Sequence, residues 1–435
     1  MKQISVILIG AGNRGRTYCG KMNDMPEKYK IVAIAEPMDT IRRRCQKEYG
    51  LPDEMCFTDW RDILARPKMA DLAVIATVDN DHYGPAMKAI ELGYHLLLEK
   101  PVAQTVGECT DIANAAQEKG VCVLVCHVLR YTPFYKTVKS IVQSGMIGKI
   151  VDIDCTEGIG DIHFSHSYVR GNWHSEKEST PMLLAKSCHD LDIIQWLMDK
   201  PCKKVTSFGK LTYFCPENAP EGSPVRCTDG TCPIADTCPY NAHRIYIENP
   251  DGFWGKYIFK HAVATHPDMT DDELCEALKT SNYGLCVFHA GNDVLDNQIV
   301  NMEFEGGVTA TLSVNAFNEG GRYIRIYGTQ GELYAFASSP SIHVYTFRDK
   351  KSHEIPLMQT EESITGGHGG GDDGIVRDLY DYLCGTYTGA SVADIRVSVA
   401  NHLIGFAAEE ARHSDTVVDL DEYFRKNNYE NLSSL

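Results

Sequence analysis

No apolar run in this sequence approaches the roughly 18 residues that a membrane-crossing helix needs, so no spanning segment is expected. Positive charge is also scarce. The 435 residues carry 42 Lys and Arg against 59 Asp and Glu, a formal charge of −17. A net negative field opposes phosphate contacts, which argues against a nucleic-acid partner. The 16 cysteines lack the tight spacing of a small secreted framework and are scattered over a chain long enough to fold without staples. A signal peptide is not expected, because the strand-like run after Met1-Lys2-Gln3 leads straight into a glycine motif. A cytoplasmic protein of two or three domains is the expectation, and 43% hydrophobic with 23% charged residues describes a soluble globular chain.

The first 125 residues alternate between short apolar runs and helical stretches. Ile4–Ile9 is suited to a strand buried on both faces, and it opens into Gly10-Ala11-Gly12-Asn13-Arg14-Gly15 before a helix. A strand, a glycine turn and a helix N-terminus set unpaired N–H groups against a diphosphate. Gly10 makes the tight turn, Gly12 leaves room for the pyrophosphate, and Gly15 permits close helix–sheet contact. A second strand, Ile31–Ala35, ends at Glu36, 21 residues after Gly15. A carboxylate there can accept the ribose hydroxyls of NAD and repel a 2′-phosphate, although Arg42, Arg43 and Arg44 keep NADP open. Asp71–Ala76, His95–Leu98 and Val121–Val125 read as further strands, with helices over Tyr83–Leu92 and Thr105–Lys119. Residues 1–128 are thus expected to be an α/β Rossmann domain with a parallel sheet.

Two loops follow strand ends, where open parallel sheets bind ligands. One runs from Thr77 to His82, the other is Glu99-Lys100-Pro101. Asn13, Arg14, Thr77, His82, Glu99 and Lys100 join the glycines and Glu36 as candidate cofactor-binding residues. Lys100 at a strand end could assist loss of a substrate hydroxyl proton, or could be a solvated turn lysine. The glycine motif, Glu36 and Glu99-Lys100-Pro101 together resemble the Gfo/Idh/MocA oxidoreductases, the glucose–fructose oxidoreductase and inositol dehydrogenase family. The resemblance implies NAD as cofactor, a carbohydrate or polyol as substrate, and a catalytic lysine that maps onto Lys100.

Residues 129–435 change pattern. Runs beginning at Lys149, Val205, Gln298, Val308, Tyr323, Glu332 and Ile342 read as strands with partial alternation, and Gly306-Gly307 and Gly328–Gly331 read as turns. The resemblance implies a C-terminal α/β domain with a large, mostly antiparallel sheet whose open face forms a homodimer or homotetramer interface. Between the strands lies Leu183-Leu-Ala-Lys186-Ser-Cys-His189-Asp190. Leu191, Ile194 and Leu197 can line one face of a helix there. His189 is three residues from Lys186, and a nearby ammonium favours the neutral, base-competent imidazole. The plainer reading is a helix-start histidine bonded to its own turn. Inositol-dehydrogenase-like members carry an Asp four residues before the catalytic His, where this chain has Ala185; a Lys-x-x-His-Asp subgroup is closer. Lys100, His189 and Lys186 form the candidate catalytic set.

His127, Arg130, Tyr131, His166, Arg170, Trp173 and His368 are candidate substrate-binding residues, since a sugar ring suits aromatic platforms with hydrogen-bonding groups. Asp372 or Asp373 could cap a helix starting near Ile375, within a helical stretch over about 373–413. Cys215, Cys227, Cys232 and Cys238 sit in a Cys-rich insertion spanning about 214–290 and could hold a structural zinc, with His243 a substitute ligand. Free thiols or an oxidised pair are alternatives. Three functional readings follow: an NAD-dependent dehydrogenase of sugars or polyols, an NAD-dependent glycoside-cleaving enzyme with no net redox change, and a non-enzymatic dinucleotide-binding sensor.

Overall fold

The computed structural model describes residues 2–248, 259–264, 269–358 and 367–429. Its first sheet holds β1 (Ile4–Ile9), β2 (Tyr29–Ala35), β3 (Cys56–Phe57), β4 (Leu72–Ile75), β5 (His95–Leu98) and β6 (Val123–Val125) in the order β3-β2-β1-β4-β5-β6. Every pairing is parallel. All four residues of β4 are buried, as expected of a sheet covered by helices on both faces. The order reverses between β1 and β4, and the C-terminal ends of those strands flank the crevice where such folds bind ligands. β3, only two residues long, carries too little pattern to be seen in the sequence.

The second sheet contains β7 (Ile150–Gly158), β8 (Cys202–Lys210), β9 (Asn297–Phe304), β10 (Val308–Asn315), β11 (Gly321–Gly328), β12 (Gly331–Phe336), β13 (Ser341–Thr346), β14 (Lys351–Pro356) and β15 (Val418–Asp419). Their order is β14-β13-β12-β11-β7-β10-β9-β8-β15. Only β7 and β10 pair in parallel. The buried residues of β10 alternate strictly along the strand, so one face packs inward, where the helices Cys188–Met198 and Ile395–Ser414 lie. The other face presents Phe208, Ile299, Tyr334 and Phe336 at 36–61% exposure. Among the described residues no helix is long and apolar enough to cross a membrane.

The stretch expected over about 373–413 is two helices with different loyalties. Ile395–Ser414 buries Ala400, Leu403 and Ala407 in the core that spans both domains, packing on β8 and Cys188–Met198 and also on the Rossmann helix Val106–Lys119. Gly371–Leu383 instead gives Ile375, Val376, Leu379 and Tyr380 to the core containing β1 and the helix Asn13–Asn23, and Tyr29 OH donates to the Val376 carbonyl at 2.8 Å. Asp372 and Asp373 lie inside this helix, whose start is capped by Gly370, so neither is the cap.

Candidate active site

The glycine turn is shaped by its neighbours. Gly10 has φ +83°, and a Cβ there would lie 2.6 Å from the Ala76 carbonyl oxygen. A Cβ on Gly15 would collide with the Gly10 carbonyl, whereas one on Gly12 would meet nothing within 4 Å. The helix Asn13–Asn23 starts at Gly12 with no side-chain cap, leaving first-turn N–H groups for an anion. Glu36, buried at 5% exposure, accepts from Ala11 N at 2.8 Å and Met38 N at 2.9 Å. Arg42 donates to the Glu36 carbonyl at 2.7 Å and pairs with Asp39, so its guanidinium is already engaged. An open cradle with a fixed carboxylate at its rim fits a dinucleotide.

Beneath the turn lies a charged network. Arg14 faces inward: Nε donates to Glu99 at 3.0 Å, and Nη2 donates to Asp372 at 2.6 Å. Tyr18 OH donates to Glu99 at 2.7 Å. Burial pushes the Glu99 carboxyl up, but Arg14 and Lys100 outweigh it and hold the group below the usual carboxylate range. Arg14 therefore contributes backbone to the turn and its guanidinium to the scaffold. His82 clamps the two strand-end loops, with Nδ1 2.7 Å from the Pro101 oxygen and Nε2 3.2 Å from the Thr77 oxygen; the Lys100–Pro101 peptide is cis. Thr77 Oγ1 donates to the Asp81 carbonyl at 2.7 Å.

Lys100 reaches across to the second domain, where Nζ donates to the Ala185 carbonyl at 2.8 Å. Ala185 ends a short helix, Met182–Ala185, and a new helix starts at Cys188. The break at Lys186-Ser187 sets Lys186 apart from the His189 helix while keeping both beside Ala185. Lys186 Nζ is 3.5 Å from Glu157, which pairs at 2.6 Å with Arg322; Arg322 also holds Asp190 at 2.7 Å. Burial lowers the Lys186 ammonium, Glu157 opposes this, and Arg322 and Lys100 reinforce it. Burial likewise raises Glu157, against the pull of Arg322 and Lys186. In each, burial works against the attraction of its partner. His163, held to about 3 by burial and then by Lys186, is neutral beside them.

His189 is buried, its ring centroid 5.9 Å from that of His127, which lies 5.8 Å from His402. His402 accepts from Val102 N at 3.0 Å and faces the Ser398 carbonyl at 2.7 Å through Nδ1; burial holds it to about 3. Burial also lowers His127, whose two nitrogens have no hydrogen-bond partner among the described residues.

The other expected pocket residues scatter. Arg130 is bidentate to Asp192, both bonds 2.7 Å, at 3% exposure. Tyr131 is buried in the first-domain core against Gly374. His166 bonds Tyr246 OH at 2.9 Å and stacks on Tyr283. Arg170 donates to the Leu285 and Tyr240 carbonyls. Trp173 Nε1 donates to Asp79 at 3.0 Å, tying the Thr77–His82 loop to the second domain. Of these, His166 and Arg170 are committed to the insertion, Arg130 to Asp192 and Trp173 to the Thr77–His82 loop. The His368 side chain lies outside the described residues. Glu157, Arg322 and His402 were not anticipated; only their folded positions, far apart in sequence, bring them to Lys186 and Lys100.

The expected zinc set needs correction. Among the described residues no three His, Cys, Asp or Glu side chains are drawn together for a metal ion, and every cysteine is a free thiol. Cys215 stands apart, bonded within its own turn to the Thr212 carbonyl and Asn218. His243 faces Glu248 at 3.2 Å and is not a ligand.

Two family models match the chain: the oxidoreductase family NAD-binding Rossmann fold (GFO_IDH_MocA) over residues 4–127, and the corresponding C-terminal alpha/beta domain over 139–420. YteT of Bacillus subtilis is 26% identical over 355 residues, 76% of this chain and 78% of that protein. The 2,7-anhydro-N-acetylneuraminate hydratase of Mediterraneibacter gnavus is 26% identical over 221 residues, 48% of this chain and 53% of that enzyme. Levoglucosan dehydrogenase in complex with NADH and L-sorbose superposes with a TM-score of 0.70 at 17% identity, covering 96% of this chain and 99% of that one; that likeness is one of fold.

Proposed function

This chain belongs to the Gfo/Idh/MocA oxidoreductase family, and from that premise we propose that it is an NAD-dependent dehydrogenase of a sugar, glycoside or polyol. The family assignment makes it an NAD(P)-dependent oxidoreductase acting on CH–OH groups. The observation that carries the finer reading is the Lys100–Ala185 bond, which sets a Rossmann-domain ammonium beside the His189 helix.

A bound nicotinamide supplies a hydride acceptor at C4. Lys100, anchored by one N–H to Ala185, keeps two for a substrate hydroxyl and so orients the carbinol C–H toward the crevice. As hydride leaves that carbon, the hydroxyl proton passes to His189 and the C–O bond becomes a carbonyl. Lys186, 3.5 Å from Glu157, orients a second hydroxyl. Glu36 selects NAD at the ribose. Native mass spectrometry for bound cofactor, then a panel of pyranosides and inositols scored for NADH and for cleavage products, tests this reading. A carbonyl product with equimolar NADH is expected; cofactor-bound protein inert toward every polyhydroxylated substrate would overturn it.

A second reading draws on the hydratase among the relatives: transient oxidation, elimination and addition of water, and re-reduction on the same cofactor. It predicts product without NADH accumulation, which the same panel separates. The outer face of the nine-stranded sheet, with Phe208 opposite Ile299 and Tyr323 opposite Phe336, supports a homo-oligomer through that face.

A further inference from the structure

In a chain of formal charge −17, the surroundings of Lys186 run the other way. Burial apart, the charges that act most strongly on its ammonium are those of Glu157, Arg322, Lys100 and Asp190. With Lys186 itself, that sets three cations against two carboxylates. Contacts link all five. Lys100 Nζ donates to the Ala185 carbonyl, one residue before Lys186. Lys186 Nζ is 3.5 Å from Glu157, and Arg322 reaches both Glu157 and Asp190. His163, neutral beside them, adds no counter-charge.

Exposure separates the two signs. The side chains of Glu157 and Asp190 are 3% and 4% exposed, whereas those of Lys186 and Arg322 are 20% and 16% exposed. A ligand therefore meets the cations before the carboxylates. Alternation along β11 puts Arg322 on the same face as the buried Ile324 and Ile326, so it lies on the side of the His189 helix and not on the outer sheet face. Arg322 spends Nε and Nη2 on the two carboxylates, which leaves Nη1 for a ligand. Lys186 and Lys100, each with one protein contact, keep two N–H donors apiece. Cations gathered with one charge uncompensated repel one another, and a bound anion relieves that repulsion.

We propose that the substrate is an acidic sugar or polyol, such as a uronic or aldonic acid, whose carboxylate is taken by Arg322 Nη1 and Lys186 while Lys100 and His189 act at its carbinol. This rests on the dehydrogenase reading above and narrows its substrate class. The surplus is one unit of positive charge, which a carboxylate cancels. A phosphate monoester, at about −1.5 to −2, would leave negative charge uncompensated above Glu157 and Asp190. Guanidinium and ammonium groups hold a carboxylate through charge-assisted bonds, and Lys186 has donors for both the carboxylate and the neighbouring hydroxyl.

The test pairs acids with neutral counterparts of the same stereochemistry: D-glucuronate with D-glucose, D-galacturonate with D-galactose and D-gluconate with D-glucitol, with D-glucose 6-phosphate as the phosphate arm. The NAD-loaded full-length protein is titrated with each by calorimetry and assayed for NADH. In at least one pair the acid should bind at least about ten-fold more tightly and lead in kcat/KM by a similar factor. Lys186→Gln should narrow that ratio several-fold, even where it also slows the neutral partner. Acid affinity of the wild type should fall at least about three-fold between about 50 and 500 mM sodium chloride, a reading that needs no variant to fold. Neutral partners that bind and turn over as well as their acids would overturn the carboxylate and leave the dehydrogenase reading intact. Selective acid binding without NADH would do the reverse. Binding of no acid, preference for the phosphate over every acid, or a ratio unmoved by Lys186→Gln in folded protein would each overturn the assignment.

Discussion

Lys100 and Ala185 join the two domains: the lysine follows a Rossmann strand by two residues, and the carbonyl it bonds at 2.8 Å ends the short helix before His189. An ammonium held this way is positioned by the backbone rather than by a carboxylate that would hold it as an ion pair. Lys100→Met should reduce kcat/KM at least about 100-fold. NADH binding, followed by protein-to-nicotinamide energy transfer, should change less than about three-fold, since the glycine turn is untouched. Lys100→Arg should not rescue turnover, because a planar fork cannot share the Ala185 carbonyl and a substrate hydroxyl in the same geometry. Equal loss of binding and turnover would make Lys100 a structural residue.

Much of the local geometry around the glycine turn was legible because its parts are close in sequence. Gly10, Gly12 and Gly15 act over six residues, and Glu36 follows β2 directly, so a strand-to-helix pattern suffices to find them. The same holds for Lys100 at the end of an apolar strand. Arg130 and Arg170 look equally ligand-like in sequence, yet each is sequestered, one by Asp192 and the other by carbonyls at residues 240 and 285. Partners 62 to 115 residues away leave no periodic trace. The Gly371–Leu383 helix was hidden for the same reason: an amphipathic pattern reveals a buried face, not which domain buries it.

That helix is fixed to the cofactor turn by charge. Asp372, 1% exposed, holds Arg14, which in turn holds Glu99. Asp372→Ala leaves the guanidinium with one carboxylate fewer and should destabilise the fold by about 3 kcal/mol, read as a lower denaturant midpoint. Because Arg14 lies within the glycine turn, NAD affinity should fall in the same variant. Undiminished stability would show that water replaces the carboxylate without penalty.

Acid should unfold the protein through its buried imidazoles. His163, His166 and His402 are each held to about 3, chiefly by burial, whereas the unfolded chain takes up these protons near 6.5. Between those values the unfolded state binds more protons, so stability is full above about pH 6.5 and is lost as pH falls toward 3. Each histidine contributes a slope of about 1.4 kcal/mol per pH unit. Urea melts from pH 7 to 5 should show this decline. His166→Phe, which preserves stacking on Tyr283, should make it shallower by one histidine's share; an unchanged slope would refute the assignment.

The exposed sheet face gives a prediction about assembly. Phe336 is 60% and Phe208 61% exposed on the same face, where water contact is unfavourable by about 25 cal/mol per Å² of apolar surface. A Phe208→Glu, Phe336→Glu double variant should shift the light-scattering mass toward the monomer while leaving the far-ultraviolet spectrum and thermal midpoint of each chain nearly unchanged. A wild type that is monomeric at micromolar concentration would remove this face as an interface.

If Glu36 meets the adenosine ribose as proposed, it sets the choice of cofactor. Its two oxygens hold Ala11 N and Met38 N, so the carboxylate shapes the turn. Each oxygen retains a lone pair for a hydroxyl, and a 2′-phosphate would meet a buried negative charge. Arg42, locked to Asp39 and the Glu36 carbonyl, is not free to neutralise it. Wild type should therefore prefer NAD by at least about 100-fold in kcat/KM, and Glu36→Gln, which preserves one acceptor and removes the repulsion, should narrow that ratio at least about ten-fold. Narrowing through a poorer KM for NAD would place the carboxylate on the ribose hydroxyls. A ratio unchanged by the substitution would mean that the adenosine ribose binds elsewhere in the crevice.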